Sequence, residues 1–319
     1  MIKKIAVFTS GGDAPGMNAC IRAIVRAGLV HGYEMYGIRD GYRGLLEDNI
    51  FQMNRHSVSE IINRGGTILG TARLPELKDI EVQKKGVEIL QKHGIDALVG
   101  IGGDGTYMGL AALSRLGINT IGIPGTIDND ISSSDFTIGF DTALNTIVEC
   151  VDRLRDTSSS HQRCSIIEVM GNRCGDLAAY AGVACGAEMV ITNETEFSKE
   201  SVIEFLKKQR EEGKNHAIII ISEKVCDVYE LAHEIMYKCG YETRAEILGH
   251  MQRGGTPSAF DRVLASRLGH YSIELIDQGV SSSCIGLIHN QLTCNSITDA
   301  LAMPRNSSKE FVKISADLE

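Results

Sequence analysis

The stretch Ala97–Asp130, ALVGIGGDGTYMGLAALSRLGINTIGIPGTIDND, holds two short apolar runs, Ala97–Ile101 and Thr120–Ile123. Runs of this kind, bounded by glycine, fit strands buried on both faces. Between them Leu110, Leu113 and Leu116 recur on one side of a helix. Strand, helix and strand in succession predict a parallel pair, because a crossover helix joins parallel neighbours. Each run ends abruptly in a glycine-rich loop that carries aspartate, Gly102-Gly103-Asp104-Gly105-Thr106 and Pro124-Gly125-Thr126-Ile127-Asp128-Asn129-Asp130. In a parallel sheet both loops leave the carboxyl ends of strands, the edge where open α/β sheets bind ligands.

The glycines expose backbone N–H groups that suit phosphate oxygens. Asp104, Asp128 and Asp130 would repel phosphate unless a divalent cation lay between, and Mg²⁺ prefers such oxygen ligands. The stretch therefore reads as a magnesium-nucleotide site, with Asp128 as base and Asp104 and Asp130 near the metal. Gly100–Gly105 also satisfies the dinucleotide fingerprint G-x-G-x-x-G. Asp104 inside that turn would set charge against a metal-free pyrophosphate, which disfavours a nicotinamide site. A Walker A sequence is absent, so this is not a P-loop enzyme. An Asp-Asn-Asp turn on an arbitrary loop would be local turn chemistry; beside a phosphate-type loop the catalytic reading is preferred.

Upstream, the sequence predicts strands Lys4–Thr9 and Glu34–Ile38 and helices from Met17 to about Val30 and from about Ile80 to His93. Asp40 to Gly70 reads as loop-rich, with a short helix near Val58–Ile62. Ser10-Gly11-Gly12-Asp13 forms the first strand-to-helix loop, on the same predicted edge, where N–H groups and the helix dipole favour phosphate. As a plain turn it would only let Asp13 cap the helix. Thr71-Ala72-Arg73 offers a guanidinium fork for phosphates.

Downstream, Phe140–Asp156 is amphipathic, and the polar segment Thr157–Gln162 follows. Strands are predicted at Cys164–Val169, Met189–Thr192, Ala217–Ser222, Arg244–Leu248 and Cys284–Ile288, the last closing the set. Helices are predicted near Asp176–Cys185, Lys199–Arg210 and Val228–Cys239. Another is expected from Thr256-Pro257, with threonine as cap, to about Asp277. The C-terminal tail shows little pattern. This alternation predicts an α/β protein of two doubly wound, mostly parallel-sheet lobes, with the active site in the cleft between them. Met170-Gly171-Asn172, Glu223 and Gly249-His250-Met251-Gln252-Arg253 each follow an apolar strand. With Arg163, Arg244 and Arg253 they resemble a pocket for a phosphorylated polyol, arginines on the phosphate and Glu223 on hydroxyls.

Composition narrows the partners. With 319 residues, 43% hydrophobic and 23% charged, the chain has the profile of a soluble globular protein long enough for two lobes. No apolar run approaches the roughly 20 residues of a membrane helix, and the N-terminal run ends at Phe8, too short for a signal h-region. A net charge of −9, no tryptophan and 5% aromatics argue against a nucleic-acid surface. Nine cysteines with no C-x-x-C pair predict reduced thiols and a cytoplasmic location.

The motifs TSGGDAPGMNA, GGTILGTAR, IGGDGT, PGTIDNDI, TIGFDTALN, IEVMG and LGHMQRGGTPSAFDRVLASRLG occur in order along the chain. Together they resemble the bacterial ATP-dependent 6-phosphofructokinases over essentially the full length. GGDGT alone is shared with other kinases, whereas PGTIDND plus the GH-x-QRGG block is specific.

The resemblance implies transfer of the ATP γ-phosphoryl group to the 1-hydroxyl of fructose 6-phosphate, with Mg²⁺. It makes Asp128 the base, sets Thr126 and Asp130 in the same loop, and assigns Mg²⁺ to Asp104. Gly12 and Arg73 would stabilise the transferring group. ATP would meet Gly12, Tyr42, Arg73, Leu74, Gly103, Asp104, Gly105, Thr106, Met108 and Gly109. Sugar phosphate would meet Thr126, Asp128, Asp130, Met170, Gly171, Glu223, His250 and Arg253, with Arg163 and Arg244 from a neighbouring subunit of a homotetramer. Arg22, Arg26, Arg55, Glu60, Gly186, Glu188 and Lys214 match an allosteric site for ADP and phosphoenolpyruvate. The implied lobes are 1–138 with 251–301 for ATP and 139–250 with 302–319 for fructose 6-phosphate.

Gly105 and Gly125 stand where pyrophosphate-dependent relatives typically carry Asp and Lys, so ATP is the expected donor. Two positions depart from the family pattern. Asn172 replaces a common arginine, and Glu212 replaces a common basic contact for the effector.

Overall fold

The computed structural model describes residues 2–305 and 308–319. The N-terminal half alternates β1 (Lys4–Thr9), α1 (Met17–Val30), β2 (Glu34–Ile38), α2 (Gly41–Leu46), β3 (Ile50–Met53), α3 (Ile80–His93), β4 (Ala97–Gly102), α4 (Asp104–Arg115) and β5 (Asn119–Pro124). There follow α5 (Phe140–His161), β6 (Arg163–Val169), α6 (Asp176–Cys185), β7 (Met189–Ile191), α7 (Lys199–Glu211), β8 (Ala217–Ser222), α8 (Val228–Cys239) and β9 (Glu242–Ile247). The chain ends with α9 (Ala259–Asp277), β10 (Ser283–Ile288), β11 (Gln291–Ser296), α10 (Ile297–Ala302) and α11 (Lys309–Asp317). Two compact units emerge: residues 2–127, 131–142 and 253–305 form the first, and residues 128–130, 143–252 and 308–319 the second.

The first unit is built on a seven-stranded sheet in the order β11-β10-β5-β4-β1-β2-β3. The inner pairings β10–β5, β5–β4, β4–β1 and β1–β2 are parallel, and β11 and β3 close the edges antiparallel. β4, ALVGIG, is buried at every residue, as a central parallel strand covered on both faces must be. Phe8 of β1 and Leu98 of β4 share one core with Tyr107, Leu110 and Leu113 of α4. α1 and α9 approach closely at Gly269, where a β-carbon would stand 2.8 Å from Ala23 Cβ and 2.9 Å from the Cys20 carbonyl. The second unit carries a four-stranded, wholly parallel sheet, β7-β8-β6-β9. β8, AIIIIS, is buried throughout, with Leu206, Leu231 and Ile235 packed in the same core.

Several local expectations are corrected. The residues near Val58–Ile62 form turns rather than a helix. Asn54 Oδ1 there accepts from the amides of His56 and Ser57 at 2.8 and 3.1 Å, and Glu60 is left-handed at φ +56°. Side-chain capture of amides competes with helix formation. The last long helix starts at Ala259, not at Thr256-Pro257. Ser258 is its cap, accepting from the Asp261 amide at 3.2 Å. Helix α5 runs on through the polar residues 157–161, where Ser158 is buried on the Ser165 hydroxyl at 2.6 Å.

Cys284–Ile288 does not close the strand set: β10 turns through His289 and Asn290, both at positive φ, into β11. That is the two-residue hairpin geometry. α2, β3, α10 and α11 were also unforeseen. All nine cysteines are free, and no helix among the described residues is long and apolar enough to cross a membrane.

Candidate active site

In the first unit the loops after β1, β4 and β5 leave one edge of the sheet, because these strands are adjacent and parallel. They are tied to one another by backbone. The Ser10 amide donates to Ile101 O at 3.0 Å, the Gly125 amide donates to Gly102 O at 3.0 Å, and Thr106 Oγ1 donates to Ser10 O at 3.3 Å. Gly102 is required by this crowding, since a β-carbon there would stand 2.4 Å from Ser10 O.

The 64–73 segment is drawn to the same edge. Buried Asn18 on α1 donates through Nδ2 to Arg64 O and Gly65 O at 3.0 and 3.1 Å and accepts from the Ile68 amide at 2.7 Å. Thr9 Oγ1 donates to Gly70 O, and Thr71 Oγ1 donates to Gly11 O, each at 2.7 Å. Arg73 follows immediately and is exposed.

The residues expected at ATP separate into two layers. Gly12, Gly105 and Met108 are exposed, and Gly103, Asp104 and Leu74 are half-buried. Tyr42, Thr106 and Gly109 lie underneath: Tyr42 is 4% exposed, donates to Thr106 O at 2.6 Å, and fills the space a Gly109 side chain would need. Burial pushes the Tyr42 phenol well above its ordinary pKa, so it remains a donor. Asp104 opens α4, and its Oδ2 meets Arg305 Nη2 at 3.0 Å. Arg305 carried no signal in the sequence; it lies 201 residues away in the weakly patterned tail.

In the second unit Met170 follows β6, Glu223 follows β8 and Gly249 lies just beyond β9. The Met170 amide donates to Gln252 Oε1 at 3.1 Å, the Asn172 amide to Glu223 Oε1 at 2.8 Å, and Gln252 Nε2 to Gly249 O at 3.0 Å. Gln252 is wholly buried; the sequence placed it within Gly249–Arg253 but gave it no role of its own. Gly171, at φ +136°, has no room for a side chain, which would meet Cys174 O at 2.4 Å. Asn172 is left-handed at φ +59°, and Lys224 Nζ donates to its Oδ1 at 2.6 Å. His250 is exposed on the turn after β9.

Arg163 and Arg244 are not brought to this edge. Arg163 begins β6, roughly 23 Å of extended chain before Met170. Arg244 pairs in register with Ser165. Both guanidinium groups converge on Glu242, at 2.9 and 2.7 Å. Their two charges, Arg163 first, hold the Glu242 carboxyl below its ordinary pKa.

Asp128, Asn129 and Asp130 pack with the second unit, although Thr126 and Ile127 belong to the first. Thr126 O accepts from Thr137 Oγ1 at 2.6 Å. Asn129, left-handed at φ +52°, donates through Nδ2 to Asp176 Oδ2 at 2.8 Å.

The residues expected at an effector site form two groups, one in each unit. Arg22 and Arg26 lie on α1, where burial and then the Arg26 charge lower the Arg22 pKa. Arg55 and Glu60 are exposed on the turns after β3. In the second unit Glu188 lies 3.9 Å from Lys214 and 3.8 Å from Arg155, which also donates to Gly186 O at 2.8 Å. Arg155 is a member of this cluster that sequence reading missed. Glu212, the departure, pairs with Lys208 at 3.8 Å.

A family model described as phosphofructokinase matches residues 4–276. The ATP-dependent 6-phosphofructokinase of Aliivibrio fischeri (strain MJ11) is 54% identical over 319 residues, covering 100% of both chains. That of Glaesserella parasuis serovar 5 (strain SH0165) is 57% identical over 313 residues, covering 98% of each. Among solved structures, phosphofructokinase from Saccharomyces cerevisiae superposes with a TM-score of 0.87 at 32% identity, over 99% of this chain and 48% of that one. The chain thus spans about half the length of that yeast chain. A pyrophosphate-dependent phosphofructokinase from Marinobacter aquaeolei, at 18% identity and a TM-score of 0.86, shares the fold over 99% of this chain and 92% of its own. Similarity of this extent makes the chain a phosphotransferase. It belongs to the phosphofructokinase family.

Proposed function

We propose that this chain transfers the γ-phosphoryl group of ATP to the 1-hydroxyl of fructose 6-phosphate, giving fructose 1,6-bisphosphate and ADP in glycolysis. The observation that supports this reading is the adjacency of β4 and β5 in the first unit, parallel strands whose following loops leave one sheet edge, the first of them opening α4 at Asp104.

Asp128 takes the proton of the attacking hydroxyl as its oxygen bonds to the γ-phosphorus. The bond from that phosphorus to the bridging oxygen breaks, and the electron pair leaves on ADP. A carboxylate within reach of that hydroxyl serves as general base. The Gly12 amide and Arg73 hold the transferring phosphoryl group, while Thr126 and Asp130 line the acceptor loop. The first unit takes ATP at Gly103–Gly109. Met170, Gly171, Glu223, His250 and Arg253 take the sugar phosphate. Catalysis of this kind consists mainly of positioning and charge stabilisation.

The residues present fit Mg²⁺: Asp104 is a half-exposed carboxylate at the sheet edge, and Mg²⁺ binds through one or two carboxylates plus substrate phosphates. When bound, the ion neutralises charge on the β- and γ-phosphate oxygens.

Arg163 and Arg244, far along their strands from Met170, serve the sugar phosphate of a neighbouring subunit in a homotetramer. The Glu188–Lys214–Arg155 cluster, with Gly186, Arg22, Arg26, Arg55 and Glu60, answers to ADP and phosphoenolpyruvate. The enzyme works in the cytoplasm. A coupled assay with fructose 6-phosphate and either ATP or pyrophosphate tests the reading. Turnover with ATP supports it; turnover with pyrophosphate alone, or with neither donor, overturns it.

A further inference from the structure

The Asp128-Asn129-Asp130 turn is held from α6. Asn129 is gripped twice: its side-chain amide donates to Asp176 Oδ2 at 2.8 Å, and its carbonyl faces the Cys174 thiol at 3.9 Å. Burial pushes the Cys174 thiol far up, so it keeps its proton as a donor. Asp176 and Cys174 are themselves immobilised. The Gly175 amide between them donates to Glu194 Oε1 at 3.0 Å, and Glu194 Oε2 accepts from the Ser308 amide and hydroxyl at 2.8 and 3.0 Å. A side chain at Gly175 would meet Ser308 Oγ at 2.5 Å and Thr192 Cβ at 2.7 Å. The Cys174 sulfur and one carboxylate oxygen each of Asp176 and Glu194 lie within 4.8 Å of one another; Asp176 reaches the turn through Asn129, and Glu194 bonds Ser308.

We propose that Asp176 is a positioning residue for phosphoryl transfer: through Asn129 it sets the direction of the carboxylates on either side. Asn129 is left-handed at φ +52°, an uncommon state for a residue with a side chain, and its bond to Asp176 holds it there. Released, the turn relaxes toward commoner backbone angles, and Asp128 rotates away from its acceptor. This rests on the reading of Asp128 as the base.

The test is a double-mutant cycle in the full chain on Asp176→Ala and Asn129→Ala, with steady-state kinetics and thermal unfolding of each variant. Each single change is expected to lower kcat by about 10- to 100-fold, with KM for ATP within about threefold of wild type. The double variant is expected to fall no more than about threefold below the weaker single variant, because both remove one bond. Asp176→Asn keeps an acceptor oxygen and is expected to restore kcat to within about threefold of wild type. Wild-type kcat in Asp176→Ala, losses that multiply in the double variant, or no rescue by Asp176→Asn would each overturn the proposal. Should Asp176→Ala not fold, Asn129→Ala and Asp176→Asn carry the same test. Asp128→Asn, measured alongside, separates the two readings. An active Asp128→Asn removes the base, whereas an inactive Asp128→Asn beside a fully active Asp176→Ala removes only the positioning role.

Discussion

The Arg253 guanidinium lies over Gly12: a β-carbon at Gly12 would stand 3.3 Å from Arg253 Cζ and 3.4 and 3.5 Å from its two Nη atoms. Gly12 is exposed, and the clash is with the far end of a flexible side chain, so the fold can accept alanine there. The arginine, however, must move from where a phosphate would be met. Gly12→Ala is expected to unfold within about 0.5 kcal/mol of wild type and to lose about tenfold or more in kcat/KM. Thermal unfolding and steady-state kinetics on one preparation check both parts.

Asp128→Asn removes the proton acceptor without changing side-chain size. kcat should fall on the order of 10²–10⁴ while the far-UV spectrum and unfolding midpoint hold. Wild-type turnover would mean that the hydroxyl is deprotonated elsewhere.

The two glycines expected to select the donor have different physical reasons. Nothing lies within 4 Å of a β-carbon at Gly105, but one at Gly125 would stand 2.7 Å from Ile101 Cγ2 and 3.3 Å from Met17 Cε. Gly105→Asp should therefore fold normally and lose ATP turnover by about tenfold or more, since the carboxylate adds charge where phosphate is expected. Gly125→Lys should destabilise by about 1–3 kcal/mol through overpacking. Denaturant unfolding of the two variants distinguishes these outcomes.

Arg305 and Asp104 meet at 3.0 Å with side chains 43% and 41% exposed. A pair so exposed contributes only about 0.2–1 kcal/mol, so Arg305→Ala should hardly change the unfolding midpoint. Freeing Asp104 from a competing cation should lower the Mg²⁺ concentration giving half-maximal rate by up to about fivefold. A Mg²⁺ titration in which Arg305→Ala needs more metal than wild type would refute the competition.

Asp261 is fully buried, and its carboxyl accepts from the amides of Gly139 and Thr142 and the Thr142 hydroxyl at 2.9, 2.8 and 2.5 Å. Burial, the largest cause, raises its pKa to about 6. Because the folded pKa exceeds the unfolded one, this group's contribution to stability is full below about pH 3.8 and declines as pH rises to about 6. Asparagine has one acceptor oxygen for these donors, so Asp261→Asn should cost about 2–4 kcal/mol at low pH. The deficit should narrow by about 1–3 kcal/mol between pH 4 and 7. Chemical denaturation of both proteins across that range reads the slope directly; a deficit that widens with pH would contradict the raised pKa.

Much of the framework was legible in the chain because its central strands are continuous apolar runs, as in β4 and β8, the first cut off by glycine and the second by Ser222-Glu223. The edge strands β3 and β11 were not, since IFQM and QLTCNS are short, partly exposed and of mixed polarity. The hairpin before β11 turns through His289-Asn290 rather than a glycine-bearing pair. α2 was hidden by its glycines, of which Gly44 is required because a side chain would overlap the Arg39 carbonyl. α11 has only a narrow apolar stripe, docked where Phe311 stacks on Tyr180 at 4.1 Å.

By itself, then, the order of residues determined the strand–helix alternation, the edge at which three phosphate-type loops meet, and the chemical types they carry. Periodicity and turn chemistry are local, and a local rule can be read without coordinates. Only the tertiary structure decided that Asp128–Asp130 pack with the second unit, that Asn129 is held by a residue 47 positions away, and that Arg163 and Arg244 gather on Glu242. Such pairings join distant parts of the chain at a cost in loop-closure entropy. They form only where the packed sheets have already brought the partners within reach.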